Sequence, residues 1–234
     1  MDEQGIAAQK LVELARPFLR ENDRAGFAAA LEGEWSADCL VLLLTSDDVE
    51  VVQAATIGLG LIGDMSLCPV LIDVLHHDDA GLASDAEDAM WSIWFRAAGP
   101  VAQGVLTRIA PLIHEEEIDS VVPLLTTLIK SFPGFAEAYH QRSQAQYLLG
   151  RYEAALRDAK RAVEMNPVHF GALASLANCL VALGRYEEAL ETYERVLALH
   201  PRMPDIGVAI DQLSHTLKTC RKKPAHLTLV TDSD

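Results

Sequence analysis

Leu149-Gly150-Arg151-Tyr152-Glu153-Ala154-Ala155-Leu156 returns 34 residues later as Leu183-Gly184-Arg185-Tyr186-Glu187-Glu188-Ala189-Leu190, and Asn166-Pro167 and His200-Pro201 keep the same interval. A period between about 20 and 50 residues marks a solenoid, in which each unit packs only on its neighbours. Every repeated position answers a packing need. Gly150 and Gly184 fall at the turn between paired helices, where a residue without Cβ takes φ > 0 at little cost. Ala155 and Ala189 stand where the two helices cross closely. Tyr152 and Tyr186 begin the second helix. Pro167 and Pro201 end it, because proline lacks an N–H and disfavours helical geometry in the residue before it.

The period extends outward from these two units, 136–169 and 170–203. One period earlier, Ile118 to Phe132-Pro133 forms a second helix ending at the right proline; its partner is expected from about Val101 to Ile113, and the glycine position falls on Glu116, so 102–135 is a degenerate unit. One period later, 204–218 supplies a single amphipathic helix, as a terminal cap requires. Upstream the period changes to about 31: Leu40, Leu44, Asp47, Asp48, Ala55, Leu59 and Ile62 align with Leu71, Leu75, Asp78, Asp79, Ala86, Met90 and Ile93. Each of these units is an apolar helix, an acidic turn and a second amphipathic helix, with Ser46-Asp47-Asp48-Val49 as a helix start. Ile6, Leu11, Leu14, Ala15 and Phe18 form one buried stripe, and Phe27, Ala28, Leu31 and Trp35 a second, expected as an N-terminal cap pair with Pro17 limiting or kinking the first helix.

The C-terminal units resemble tetratricopeptide repeats, and Leu44 through Asp64 resembles the short bacterial class of HEAT repeats, although Val51 and Val52 stand where that class usually places an arginine. The resemblances imply an all-α, right-handed α-α superhelix of helical hairpins. Residues 1–99 would be a HEAT-like array with its N-terminal helical cap, 100–218 a tetratricopeptide array, and 219–234 a disordered tail. Tetratricopeptide arrays bind an extended peptide or a helix on the concave face of their first helices. In this register that face carries Glu137, His140, Gln144 and Tyr147, then Ala174, Asn178 and Val181, with Asp205, Val208 and Gln212 from the capping helix. Asn178 is the leading candidate, because an amide can donate to and accept from a ligand backbone. A clamp for a C-terminal carboxylate needs lysine, arginine and asparagine on this face; only Asn178 agrees, so an internal segment or a partner helix fits better.

Charge narrows the partners. The chain carries a net charge of −15, and from Ala25 through Phe95 there are thirteen acidic residues and no lysine or arginine. Nucleic-acid binding needs a basic stripe, so nucleic acid and anionic membrane are excluded for this half. The acidic residues serve solubility or dock a basic partner; Asp47, Asp48, Asp78 and Asp79, at equivalent turns, are the sharper docking candidates. Trp91, Trp94 and Phe95 crowd one helix face near Gly99-Pro100, where packing between the two arrays is expected, with a partner anchor as the alternative if the indoles are exposed.

No motif implies catalysis or a cofactor. A Gly-rich phosphate loop, a G-x-S-x-G elbow and H-E-x-x-H are all missing, and His76-His77-Asp78-Asp79 lacks a completing ligand at helical spacing. Cys39, Cys68, Cys179 and Cys220 form no C-x-x-C pair and are expected as small core residues in a reducing compartment. Apolar runs are too short to span a bilayer and Met1-Asp2-Glu3-Gln4 does not suit a signal peptide, so a cytoplasmic location is expected. The expected function is a non-enzymatic protein-interaction scaffold without metal or cofactor. The alternatives are an accessory or chaperone subunit of an enzyme, in the manner of the HEAT-like bilin lyases, and a module that assembles end to end.

Overall fold

The computed structural model describes residues 3–114 and 118–222. Among them every regular element is helical: α1 (Glu3–Glu21), α2 (Arg24–Leu31), α3 (Ala37–Leu43), α4 (Val49–Ile62), α5 (Cys68–Leu75), α6 (Ala80–Arg96), α7 (Gly99–Ile109), α8 (Ile118–Ser131), α9 (Ala136–Leu148), α10 (Tyr152–Met165), α11 (Phe170–Ala182), α12 (Tyr186–Leu199) and α13 (Pro204–Lys222), with 3-10 turns at Met65–Leu67 and Ala110–His114. The fold is an all-α solenoid of helical hairpins. None of these helices is long and apolar enough to cross a membrane.

The acidic turns of the first array are explained by the donors that a helix start leaves unsatisfied. Asp48 accepts from Glu50 N at 2.9 Å to begin α4, and the equivalent Asp79 accepts from Gly81 N at 2.7 Å and Leu82 N at 3.1 Å to begin α6. The bonds from the Leu82 and Gly81 amides hold the Asp79 carboxyl below its ordinary range. At the other end of α4, Arg96 donates to Gly60 O at 2.6 Å and Gly63 O at 2.8 Å, so a cation meets the negative end of the helix. The α4–α6 crossing is close: a Cβ on Gly60 would lie 2.7 Å from Ala89 Cα.

The tetratricopeptide hairpins have their turns at Gly150 and Gly184, with φ of +71° and +73°. Ala155 and Ala189 are fully buried at the crossings. Ser143 donates to Ala155 O at 2.8 Å, and Arg142 grips Asp158 with two bonds of 2.7 Å, tying α9 to α10. Arg142 also donates to Thr126 at 3.0 Å, which extends the tie to α8.

The core sets the relation between the arrays. One apolar cluster runs from Leu11 of α1 through Trp94 of α6 to Phe170 of α11 and Leu213 of α13, while Ala102, Leu106, Val121, Leu125 and Ala138 form a second cluster under α7, α8 and α9. The chain leaves α6, builds the α7–α8 hairpin and returns to lay α9 and α11 against α6. The two arrays therefore share one core.

Several local expectations change. Pro17 neither ends α1 nor stops it before Glu21, and Trp35 lies beyond the end of α2 at Leu31. The capping helix continues past 218 to Lys222, so Arg221 and Lys222, expected in the tail, are helical. Glu116 and the apolar run Leu227–Val230 lie outside the described residues. Cys68 and Cys179 are buried, and burial pushes the Cys179 thiol up to about 11. Cys39 is exposed rather than a core residue.

Candidate functional site

The concave positions separate into a closed end and an open end. At the closed end Glu137 and His140 are each only 1% exposed, so neither is offered to a ligand. This corrects the expectation from repeat register, and the cause is α6. Its Trp94 ring stacks on His169 at 4.1 Å, and its Trp91 ring lies 5.9 Å from His140 and 5.4 Å from Phe170. The expected packing role of the indoles is what the geometry shows, with Trp94 1% exposed and Trp91 half-buried. Phe95 points instead to the second cluster. Gly171 makes room for this contact, because a Cβ there would lie 2.6 Å from the Trp91 ring.

Beneath the indoles lies a buried polar network. Glu137 Oε2 meets His169 Nε2 at 2.7 Å; Oε1 meets His140 Nδ1 at 3.2 Å and accepts from Gln141 Nε2 at 2.7 Å. His169 Nδ1 accepts the Ala172 N–H at 3.2 Å, capping α11. That bond assigns the tautomer: Nδ1 keeps its lone pair and Nε2–H donates to the carboxylate. Burial pushes the Glu137 carboxyl up, but the attraction and hydrogen bonds of His140 and His169 outweigh it and hold the group at about 2. Burial also pushes His169 below its ordinary value, against the upward pull of Glu137.

Glu137, His140 and His169 bring three potential ligand atoms within 4.8 Å of one another. A metal on His169 Nε2 would require the ring's proton to move to Nδ1, directly facing the Ala172 N–H. The hydrogen-bonded description therefore fits these donors better than coordination. The His76-His77 pair also does separate jobs: His76 Nε2 lies 3.1 Å from Leu199 O, and His77 Nδ1 accepts from Asp79 N at 3.0 Å.

Two further contacts tie the arrays. His200 Nε2 lies 3.0 Å from Glu87 Oε2, and Arg202 donates to the carbonyls of Leu75, His77 and Asp78 at 3.1, 2.5 and 3.1 Å. Arg202 thus caps the end of α5 from the other array. Asp47, Asp48, Asp78 and Asp79 are all exposed, but the carboxylates of Asp48 and Asp79 are engaged as caps.

The open end lies between α11, α12 and α13. One cleft of about 380 Å³ is lined by Glu87, Asn178, Tyr193, Arg202, Asp205 and Ile206 among others. A second, about 330 Å³, is lined by Val181, Tyr186, Gln212, Leu213 and Thr216, and both share Tyr193 and Ala209. The exposed Asn178 accepts from the Tyr193 hydroxyl at 2.5 Å, which fixes its amide and leaves the NH₂ free to donate to a ligand carbonyl. Burial pushes the Tyr193 hydroxyl up to about 12, so it remains a donor. Asn178, Val181, Asp205 and Gln212 are thus brought together. Val208 is exposed outside the two clefts, whereas Gln144, Tyr147 and Ala174 are half-buried, Tyr147 with its ring 5.3 Å from Tyr152. Repeat register missed Tyr193 and Glu87; Tyr193 lies on a second helix and Glu87 in the other array.

Comparison with known proteins bears on the fold of the C-terminal units. A family model described as tetratricopeptide repeat matches residues 140–204. Those residues are tetratricopeptide repeats. The chain is 33% identical over 85 residues to the bovine (Bos taurus) protein SGT1 homolog, covering 36% of this chain and 25% of that protein. It is 28% identical over 68 residues to a TPR repeat-containing protein of Rhizobium etli, covering 29% of this chain and 33% of that one. The chain thus spans a third or less of the curated relatives it matches. The Sgt2 TPR domain of Aspergillus fumigatus superposes with a TM-score of 0.51 at 18% identity, over 59% of this chain and 91% of that domain, and shares the fold. The first TPR of Spaghetti (RPAP3), bound to the HSP90 peptide SRMEEVD, gives 0.49 at 23% identity, over 50% and 95%.

Proposed function

We propose that this chain is a non-enzymatic protein-interaction adaptor that takes a peptide segment or a partner helix in the open end of its tetratricopeptide groove. The carrying observation is the pair of adjoining clefts around Tyr193, where a fixed Asn178 amide stands beside the apolar wall of Val181, Tyr186 and Leu213. Directional donors beside an apolar surface are what recognition of an extended chain uses. Residues 1–99 act in this reading as a HEAT-like buttress with its own helical cap, and 100–218 as the binding array, in the cytoplasm. Asp47 and Asp78 keep their carboxylates for a basic partner, as a secondary contact.

A pull-down from native extract tests the reading, with the intact chain set beside Asn178→Ala/Val181→Ser and Asp47→Asn/Asp78→Asn variants of unchanged helical circular dichroism. A partner lost only by the groove variant is the expected result. Equal retention by intact protein and groove variant overturns it.

A further inference from the structure

The charges lining the groove are not balanced. Arg202 spends its donors on three backbone carbonyls and the buried His200 faces Glu87, which leaves one guanidinium against the two carboxylates of Glu87 and Asp205 in the cleft lining. Asp205 is exposed and makes no ion pair among the described residues. Glu87, which lines the same cleft from α6, has its second oxygen uncommitted and a side chain 38% exposed. Behind it, α6 lies, up to its last residue Arg96, in the segment 25–95, which has thirteen carboxylates and no lysine or arginine. A cation approaching this mouth is attracted, and an acidic peptide finds carboxylates without a free partner.

Building on the groove reading above, we propose that the occupant is a basic, apolar-anchored segment whose Lys or Arg lies at the Glu87/Asp205 mouth and whose apolar side chain enters between Val181, Tyr186 and Leu213. The spacing follows from α13. Asp205 and Leu213 are eight residues apart on it, about 12 Å at the helical rise of ~1.5 Å per residue. An extended chain covers that distance in about four residues at ~3.3 Å each, and residues i and i+4 of an extended chain face the same side. The ligand pattern is therefore an apolar residue and a Lys or Arg four positions apart, with the intervening carbonyls available to the Asn178 NH₂. This inverts the charge expected of a C-terminal carboxylate clamp.

The test is selection of random 12-residue peptides displayed on phage against the full chain, followed by fluorescence anisotropy of the selected peptides and of synthetic SRMEEVD. The expected outcome is enrichment of Lys or Arg four positions from an apolar residue, binding that weakens with salt, and a loss of up to about fivefold for Asp205→Asn, the range of an exposed ion pair. Asp205→Arg should weaken those peptides further. Selection of acidic peptides, or tighter binding of SRMEEVD, overturns the charge assignment; if that binding still falls with Asn178→Ala, the groove reading stands. Peptides that bind Asn178→Ala/Val181→Ser as tightly as the intact chain, or a failure to select any, overturn the groove reading itself.

Discussion

Glu137, His140 and Gln144 stand one 34-residue period before Gly171, Ala174 and Asn178, yet the two sets meet different fates. The first turn of α9 is sealed under the indoles of α6, whereas Asn178, farther along α11, faces an open cleft. The register of a repeat assigns a position to a face of the solenoid. What covers that face is decided by another part of the chain. Here the second unit replaces Glu and His by Gly and Ala, and the space left by those small side chains admits Trp91 beside His140. The closed end is a junction and the open end is a surface, although one repeat rule builds both.

The contrast would break most visibly at Trp94, which stacks on His169 and is 1% exposed. Trp94→Ala leaves a cavity shared by both arrays and should cost about 3–5 kcal/mol in urea unfolding. The intact chain is expected to unfold in one transition, because a single cluster crosses the junction. The variant should separate into two transitions or lose its folded baseline. A cost below about 1 kcal/mol would show that α6 merely lies against the groove.

Acid probes the same junction through its charges. The folded Glu137 carboxyl, at about 2, is depressed below its ordinary 4.5, so its contribution is complete above pH 4.5 and is lost as pH falls toward 2. His169 is also depressed, from 6.5, because burial favours the neutral ring. The unfolded chain takes up that proton first, so stability begins to fall below pH 6.5. The expected profile is a plateau above neutrality, a first decline below 6.5 and a steeper one below 4.5. His169→Asn keeps a side-chain acceptor at the α11 N-cap; it should remove the first decline and soften the second, because His169 also helps to hold the Glu137 carboxyl down. An unchanged profile in that variant would assign the early decline elsewhere.

Much of this architecture was legible in the sequence because backbone requirements leave local marks. Gly150 and Gly184 reported their positive φ, Pro167 and Pro201 the helix ends, and Asp48 and Asp79 the helix starts. The crowding of Trp91 and Trp94 at the change of period marked the junction. Burial of Glu137 and His140 was less legible, since polar residues at concave positions imply a ligand surface unless the covering element is known. A signal was nevertheless present: Gly171 and Ala174 align with Glu137 and His140, and His169 precedes them as a cap. Tyr193 was missed because it belongs to a second helix and enters the groove only through the Asn178 bond. Pro17 failed as a helix stop because a single proline removes one N–H without ending the apolar stripe that buries α1.

The finest distinction between the two ends lies in two glycines. Gly171 near the start of α11 and Gly207 in α13 both occupy helices, where alanine ordinarily gains about 0.5–1 kcal/mol over glycine. A Cβ on Gly207 meets nothing within 4 Å, so Gly207→Ala should show that gain. At Gly171 the Cβ would lie 2.6 Å from Trp91 and 3.3 Å from His140, and the ring is held between Trp94 and Phe170. Gly171→Ala should therefore destabilise by about 1–3 kcal/mol, as overpacking does, reversing the propensity gain. Adding Trp91→Ala to it should return the alanine to its helix-forming benefit, so that the two changes together cost less than their sum. Thermal unfolding of the four proteins reads the coupling directly. Additive effects would mean that Trp91 moves aside freely, and that the small residues of the second unit are not what holds α6 in the groove.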